Sequence, residues 1–205
     1  MIVVLGRPSA AAFPGTSDSD PEGVRPAGLA VEIARAAAAA GRRVELVGSI
    51  GDDPIGDAVV VGLDRAGVGH AALLRDPAAP TPRAGARAPA AVRPPRLERP
   101  DVELGLGYIV DYEVLVIAEP LPPDVEAAAL DAAAFRNASV VAVVAPGGGV
   151  SGRLARTATV FEAPRGTSEA FAQAVGRFAA GLDAGAEPRE ALATAVRSAG
   201  WEASA

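Results

Sequence analysis

Gly48-Ser49-Ile50-Gly51-Asp52-Asp53-Pro54-Ile55-Gly56-Asp57 connects a β-rich run to a helical one. Its glycines permit a tight strand-to-helix turn. Asp53 stands at the N-cap position and Pro54 in the first helical turn, so a helix is predicted from there to about Ala66, closed by Gly67. Taken alone, such a stretch describes a capped turn and needs no ligand.

Working outward, Arg43 to Val47 alternates as a strand, and Ala27 to Ala40 reads as a helix closed by Gly41. Ile2 to Leu5 is a buried-type strand, and 7–26 has no period and reads as a loop. Downstream, Leu73 and Leu74 predict a short strand, and 76–100 is a Pro-, Ala- and Arg-rich irregular segment. Leu104 to Tyr108, Val114 to Ala118, Val140 to Val144 and Thr159 to Phe161 are expected strands. Helices are expected over Pro122 to Arg136, Ser168 to Ala184 and Pro188 to Ala199. Strands alternating with helices predict a three-layer α/β/α sandwich on a mostly parallel sheet, in a single domain over 1–205.

Composition bounds the chemistry. The net charge of −6 argues against general nucleic-acid binding, which needs a basic surface. There is no cysteine, and all 19 basic residues are arginine, so thiolate, Schiff-base lysine and P-loop lysine chemistry are excluded. No stretch approaches the ~20 apolar residues that cross a bilayer. The opening run Met1 to Gly6 is too short for a signal-peptide core, so a cytoplasmic location is expected.

The run from Ala27 to Thr81 resembles the N-terminal part of the ribokinase (PfkB) family of carbohydrate kinases. The spacing G-x-x-G-x-D-x-x-G falls on Gly48, Gly51, Asp53 and Gly56, and Leu63 and the Gly67-Val68 pair also fit. The resemblance implies ATP-dependent phosphoryl transfer, with Mg2+, to a hydroxyl of a sugar or nucleoside-like ligand. The family's G-A-G-D-x-F is matched by Gly166-Thr167-Ser168-Glu169-Ala170-Phe171. Gly166, Thr167 and Ser168 then correspond to the anion cradle at a helix N-terminus, and Glu169 to the catalytic base. The family's Gly-Gly-x-x-x-Asn falls on Ala27 to Glu32, which makes Gly28 and Glu32 the substrate-contact positions.

Several of these positions depart from the family pattern. Glu169 replaces an Asp, Thr167-Ser168 replace Ala-Gly, Glu32 replaces an Asn, and Ser9-Ala10-Ala11 lacks the sugar-binding carboxylate. Family chains are longer, with several strands where this chain has only the few residues between Phe161 and Gly166. The lid is expected to be reduced or absent. A degenerate kinase with weak or no activity is therefore expected, and the alternative is a non-catalytic small-molecule-binding or assembly protein. An edge strand left uncovered makes a homodimer an expectation as well.

Other features read as structure. Gly147-Gly148-Gly149-Val150-Ser151-Gly152 fits G-x-G-x-x-G literally, but a glycine-rich turn explains it better than a dinucleotide site. Arg83, Arg87, Arg93, Arg96 and Arg99 lack interleaved aromatics, which points to a solvated segment. His70 has no second ligand near it in sequence, so no metal site is expected there. Trp201 is expected to pack the tail against the body.

Overall fold

A computed structural model describes residues 1–17, 20–85, 93–166 and 169–198. The expected places of Arg87, Thr167, Ser168 and Trp201 lie outside the described residues.

The strands are β1 (Ile2–Leu5), β2 (Ser9–Ala12), β3 (Val24–Ala27), β4 (Val44–Gly51), β5 (Val68–Gly69), β6 (Leu73–Asp76), β7 (Val114–Ile117), β8 (Ser139–Val144) and β9 (Ala158–Glu162). The helices are α1 (Leu29–Ala39), α2 (Pro54–Arg65), α3 (Arg99–Tyr108), α4 (Pro123–Arg136), α5 (Leu154–Thr157), α6 (Glu169–Asp183) and α7 (Pro188–Ser198). The main sheet runs in the order β5-β4-β1-β7-β8-β9, with β6 also on β4, and every pair in it is parallel.

The period-2 alternation of the strands divides two cores. Ile2, Val4, Leu46, Val116 and Val143 face α1, α2 and α6, whereas Val3, Leu5, Val47, Leu115 and Val144 face α3 and α4. Both faces of the central strands are therefore covered. That is why Ile2–Leu5 and Val114–Ile117 are uninterrupted apolar runs, each buried at all four positions. The three-layer α/β/α expectation is met.

The opening decapeptide works through close approach. A Cβ at Gly48 would collide with the Gly6 carbonyl oxygen, one at Gly51 with the backbone of Ala79 to Thr81, and one at Gly56 with the Gly51 carbonyl oxygen. Asp53 Oδ1 accepts from the Gly56 N–H at 2.7 Å, the expected N-cap bond. Oδ1 also accepts from the Thr81 hydroxyl at 2.7 Å, and Oδ2 accepts from the Thr81 N–H at 2.7 Å. The signature thus fastens the irregular segment after β6 to the start of α2.

Two expectations are corrected. Leu104 to Tyr108 is the second half of α3 and not a strand. Glu98 N–H donates to Asp101 Oδ2 at 2.8 Å and Arg99 pairs with Glu103 one turn on, so local bonds start a helix there. Residues 7–26 contain two strands: β2 and β3 pair antiparallel, from Ser9 with Ala27 to Ala12 with Val24. The Ala10 N–H donates to the Pro82 carbonyl and the Ala84 N–H to the Ala10 carbonyl, so partners distant in sequence complete this small second sheet. Among the described residues no helix is long and apolar enough to cross a membrane.

Candidate functional site

Gly28 is the hinge between the small sheet and α1. Its φ of 99° is costly for any residue with a side chain, and a Cβ there would meet the Ser9 hydroxyl oxygen at 3.1 Å. Glu32 follows in the first turn of α1 and faces two arginines. Arg25 on β3 approaches its Oε1 at 3.5 Å, and Arg35 one turn on approaches its Oε2 at 3.5 Å. Glu169 opens the described part of α6, and its Oε1 accepts from Gln173 at 3.1 Å. Gly166, just before it, has φ 104°.

Gly28, Glu32 and Glu169 meet in one place, and Gly166 is not among the residues lining it. An open cleft of about 760 Å³ is lined by Ser9, Arg25, Gly28, Glu32, Arg35 and Glu169, among others. The substrate-contact and base positions expected from sequence are thus brought together. A second groove of about 510 Å³ between α1 and α6 shares Glu32, Arg35 and Glu169 with it. The walls are held by close packing of α1 on α6. A Cβ at Gly176 would lie 2.6 Å from Ala36 Cβ and 2.6 Å from the Ile33 carbonyl oxygen.

Sequence reasoning missed Arg25 and Arg35, which belong to no motif. It also missed an ion pair at the point where the strand order reverses, between β1 and β7. Such switch points are where ligands gather in open parallel sheets. Arg7, just past β1, donates from Nε to Glu119 Oε1 at 2.9 Å and from Nη2 to Oε2 at 2.8 Å. The Arg7 N–H also donates to Glu119 Oε1 at 3.0 Å. Donating its hydrogen bonds to Glu119 raises the Arg7 pKa above its ordinary value, against the effect of its partial burial. The only sequence signal was position: each residue lies close behind the C-terminal end of a central apolar strand.

The glycine run 147–152 is a turn leading into α5, a helix of only 4 residues, so it lacks the long helix a dinucleotide site opens. Ser151 and Glu126 close it by a hydrogen bond at 2.5 Å. Among the described residues no group of three or more His, Cys, Asp or Glu converges to hold a metal ion.

Solved structures share this architecture from end to end. Ribokinase from Thermotoga maritima matches with a TM-score of 0.63 over 97% of this chain and 91% of its own, at 15% identity. Phosphofructokinase-2 from Escherichia coli, in complex with fructose-6-phosphate, matches with a TM-score of 0.64 over 97% and 92%, at 15% identity. The protein Sa239 matches with a TM-score of 0.68 over 100% and 95%, at 14% identity.

The fold is ribokinase-like.

No family model matches the sequence, and no curated protein matches it in sequence. At these identities the ribokinase-like likeness is one of fold.

Proposed function

We propose that this chain is a degenerate sugar or nucleoside kinase of the ribokinase-like type, a single domain whose phosphoryl transfer is weak or lost. One observation carries the proposal: Gly28, Glu32 and Glu169 line a single open cleft. In it, Glu169 accepts a proton from a ligand hydroxyl, while Gly28 and Glu32 hold neighbouring hydroxyls. By the sequence correspondence, Gly166, Thr167 and Ser168 are the candidate positions for meeting an anion. The small sheet of β2 and β3 is read as a reduced lid.

ATP with Mg2+ is the phosphoryl donor for whatever activity persists, but the described residues do not fit that pair well. No three carboxylate or imidazole groups converge on a metal position among them. The Glu169 carboxylate occupies the first turn of α6, where it takes up the favourable helix-end field and repels a second anion. Among the described residues β9 passes to α6 with no further strand, so nothing there supports a wall for adenine. When catalysis rests on positioning, a displacement of ~1 Å costs ~10²-fold, and these losses compound.

A cytoplasmic protein and a homodimer belong to the same proposal, the latter through the outer edge of β9, which among the described residues pairs only with β8. Light scattering coupled to size exclusion tests the dimer, and a monomer at high concentration removes it. The function is tested by coupled ADP release against a panel of sugars and nucleosides, with the wild type and Glu169→Gln. Background turnover by both is the expected result. Robust turnover that Glu169→Gln abolishes defeats the assignment of degeneracy.

A further inference from the structure

We infer that the ligand of the cleft is phosphorylated, and that Arg25, Arg35 and Arg65 form the clamp for its phosphate. This rests on the proposal that the cleft takes a sugar-like molecule, and it adds the charge that molecule carries. Two arginines elsewhere in the chain show the geometry of a docked pair. Arg7 makes short bonds to both oxygens of Glu119, and Arg42 Nε donates to Asp183 Oδ2 at 2.5 Å. Arg25 and Arg35 are different. They share the one carboxylate of Glu32, each at 3.5 Å, beyond the ~2.7–2.9 Å of a charge-assisted bond. Each guanidinium carries five donors, and the two side chains are 43% and 47% exposed. They are attracted to Glu32 without being docked on it.

The same two arginines also line a neighbouring groove of about 650 Å³ between β3, α1 and α2. Its third cation, Arg65, has no ion-pair partner among the described residues. Glu22 is the one carboxylate lining that groove. The cleft side of the ridge therefore pairs two arginines with Glu32 and Glu169, and the far side sets three arginines against Glu22. A molecule with hydroxyls in the cleft and a phosphate over the ridge meets complementary groups at both ends. Planar guanidinium forks suit phosphate oxygens, and a dianion uses the charge that Glu32 leaves uncompensated. In a chain of net charge −6, this is a local reversal of sign.

The test is titration calorimetry on the full chain without nucleotide. The probes are fructose and fructose 6-phosphate, ribose and ribose 5-phosphate, and inorganic phosphate alone. In at least one pair the phosphorylated sugar should bind about tenfold or more tighter than its parent, and tighter than inorganic phosphate. That preference should shrink as salt is raised. Arg25→Gln and Arg35→Gln should each cost about tenfold in affinity for the phosphorylated sugar, with no comparable loss for the parent. The triple variant that adds Arg65→Gln should erase the preference, and Arg189→Gln on the exposed face of α7 should leave it intact. Melting temperatures report whether each variant is folded. No binding, equal binding within both pairs, or a preference that survives the triple variant overturns the inference. The two proposals fail separately. Neutral sugars that bind and turn over weakly leave the kinase proposal standing without the clamp, whereas clamp-dependent binding with robust ADP release leaves the clamp standing without the degeneracy.

Discussion

Replacing Asp53 with Ala should destabilise the protein by about 3–5 kcal/mol, because one carboxylate serves two segments. Its Oδ1 caps α2 through the Gly56 N–H, and losing such a cap costs about 1 kcal/mol. Thr81 is only 3% exposed, and both its N–H and its hydroxyl lose their acceptor. A buried donor left unpaired costs about 1–3 kcal/mol. The hydroxyl can rotate toward another acceptor and falls at the low end of that range, and the fixed N–H takes the full range. Urea unfolding with linear extrapolation measures the difference. Asp53→Asn should fall between wild type and Ala: its remaining oxygen can still cap α2, but its amide then faces the Thr81 N–H, donor against donor. A loss below about 1 kcal/mol for Asp53→Ala would mean the cap alone matters, and the coupling between α2 and the segment after β6 would be refuted.

The same residue should set part of the acid limb of stability. Partial burial by itself would raise the Asp53 pKa, but hydrogen bonds from Thr81 and Gly56 and the charge of Arg83 outweigh it and lower the pKa below the ordinary carboxylate value. Its contribution is therefore complete above the unfolded value of about 3.9 and disappears as pH falls through the lower folded value. Urea midpoints between pH 2 and pH 6 should show that limb, and Asp53→Asn should flatten it. Gly176→Ala should destabilise by about 1–3 kcal/mol, even though Ala gains ~1 kcal/mol of helix propensity, because the added methyl meets Ala36 and the Ile33 carbonyl at 2.6 Å. A stabilised variant in urea unfolding would show that α1 and α6 can part freely. Asp183→Ala strips Arg42 of its carboxylate at a site where Asp183 is 5% exposed. A loss of about 3 kcal/mol should lower Tm by about 6–12 °C in a thermal melt.

Much of the sheet was legible because its strands are short and uniformly apolar and its helices carry their own stop signals. Gly41 and Gly67 end α1 and α2 with φ of 80° and 70°, as the glycine placement implied. The small sheet was not legible: Ser9 to Ala12 has no β-branched residue, and its partners at Pro82 and Ala84 lie far along the chain. Leu104 to Tyr108 alternates Leu and Gly, which imitates a strand period. Its helix signal sat upstream, in an acidic pair at Glu98 and Asp101 that lacks the usual Ser or Thr. At the site, Gly28, Glu32 and Glu169 could be named because a spacing pointed to them. Arg25 and Arg35 become visible only once β3 and α1 are side by side, and Arg7 and Glu119 are separated by 112 positions.

The tight seating of α6 on α1 also limits how the cavity can behave. Glu32 and Glu169 ride on helices whose backbones nearly touch at Gly176, so the spacing of the two helices is set by main-chain contact and only the side-chain rotamers of the two acids can adjust the gap between them. A guest too wide for that helix spacing meets two walls held in place by close packing. Any breathing around a bound molecule falls to the ribbon of β2 and β3, which carries Arg25 with it.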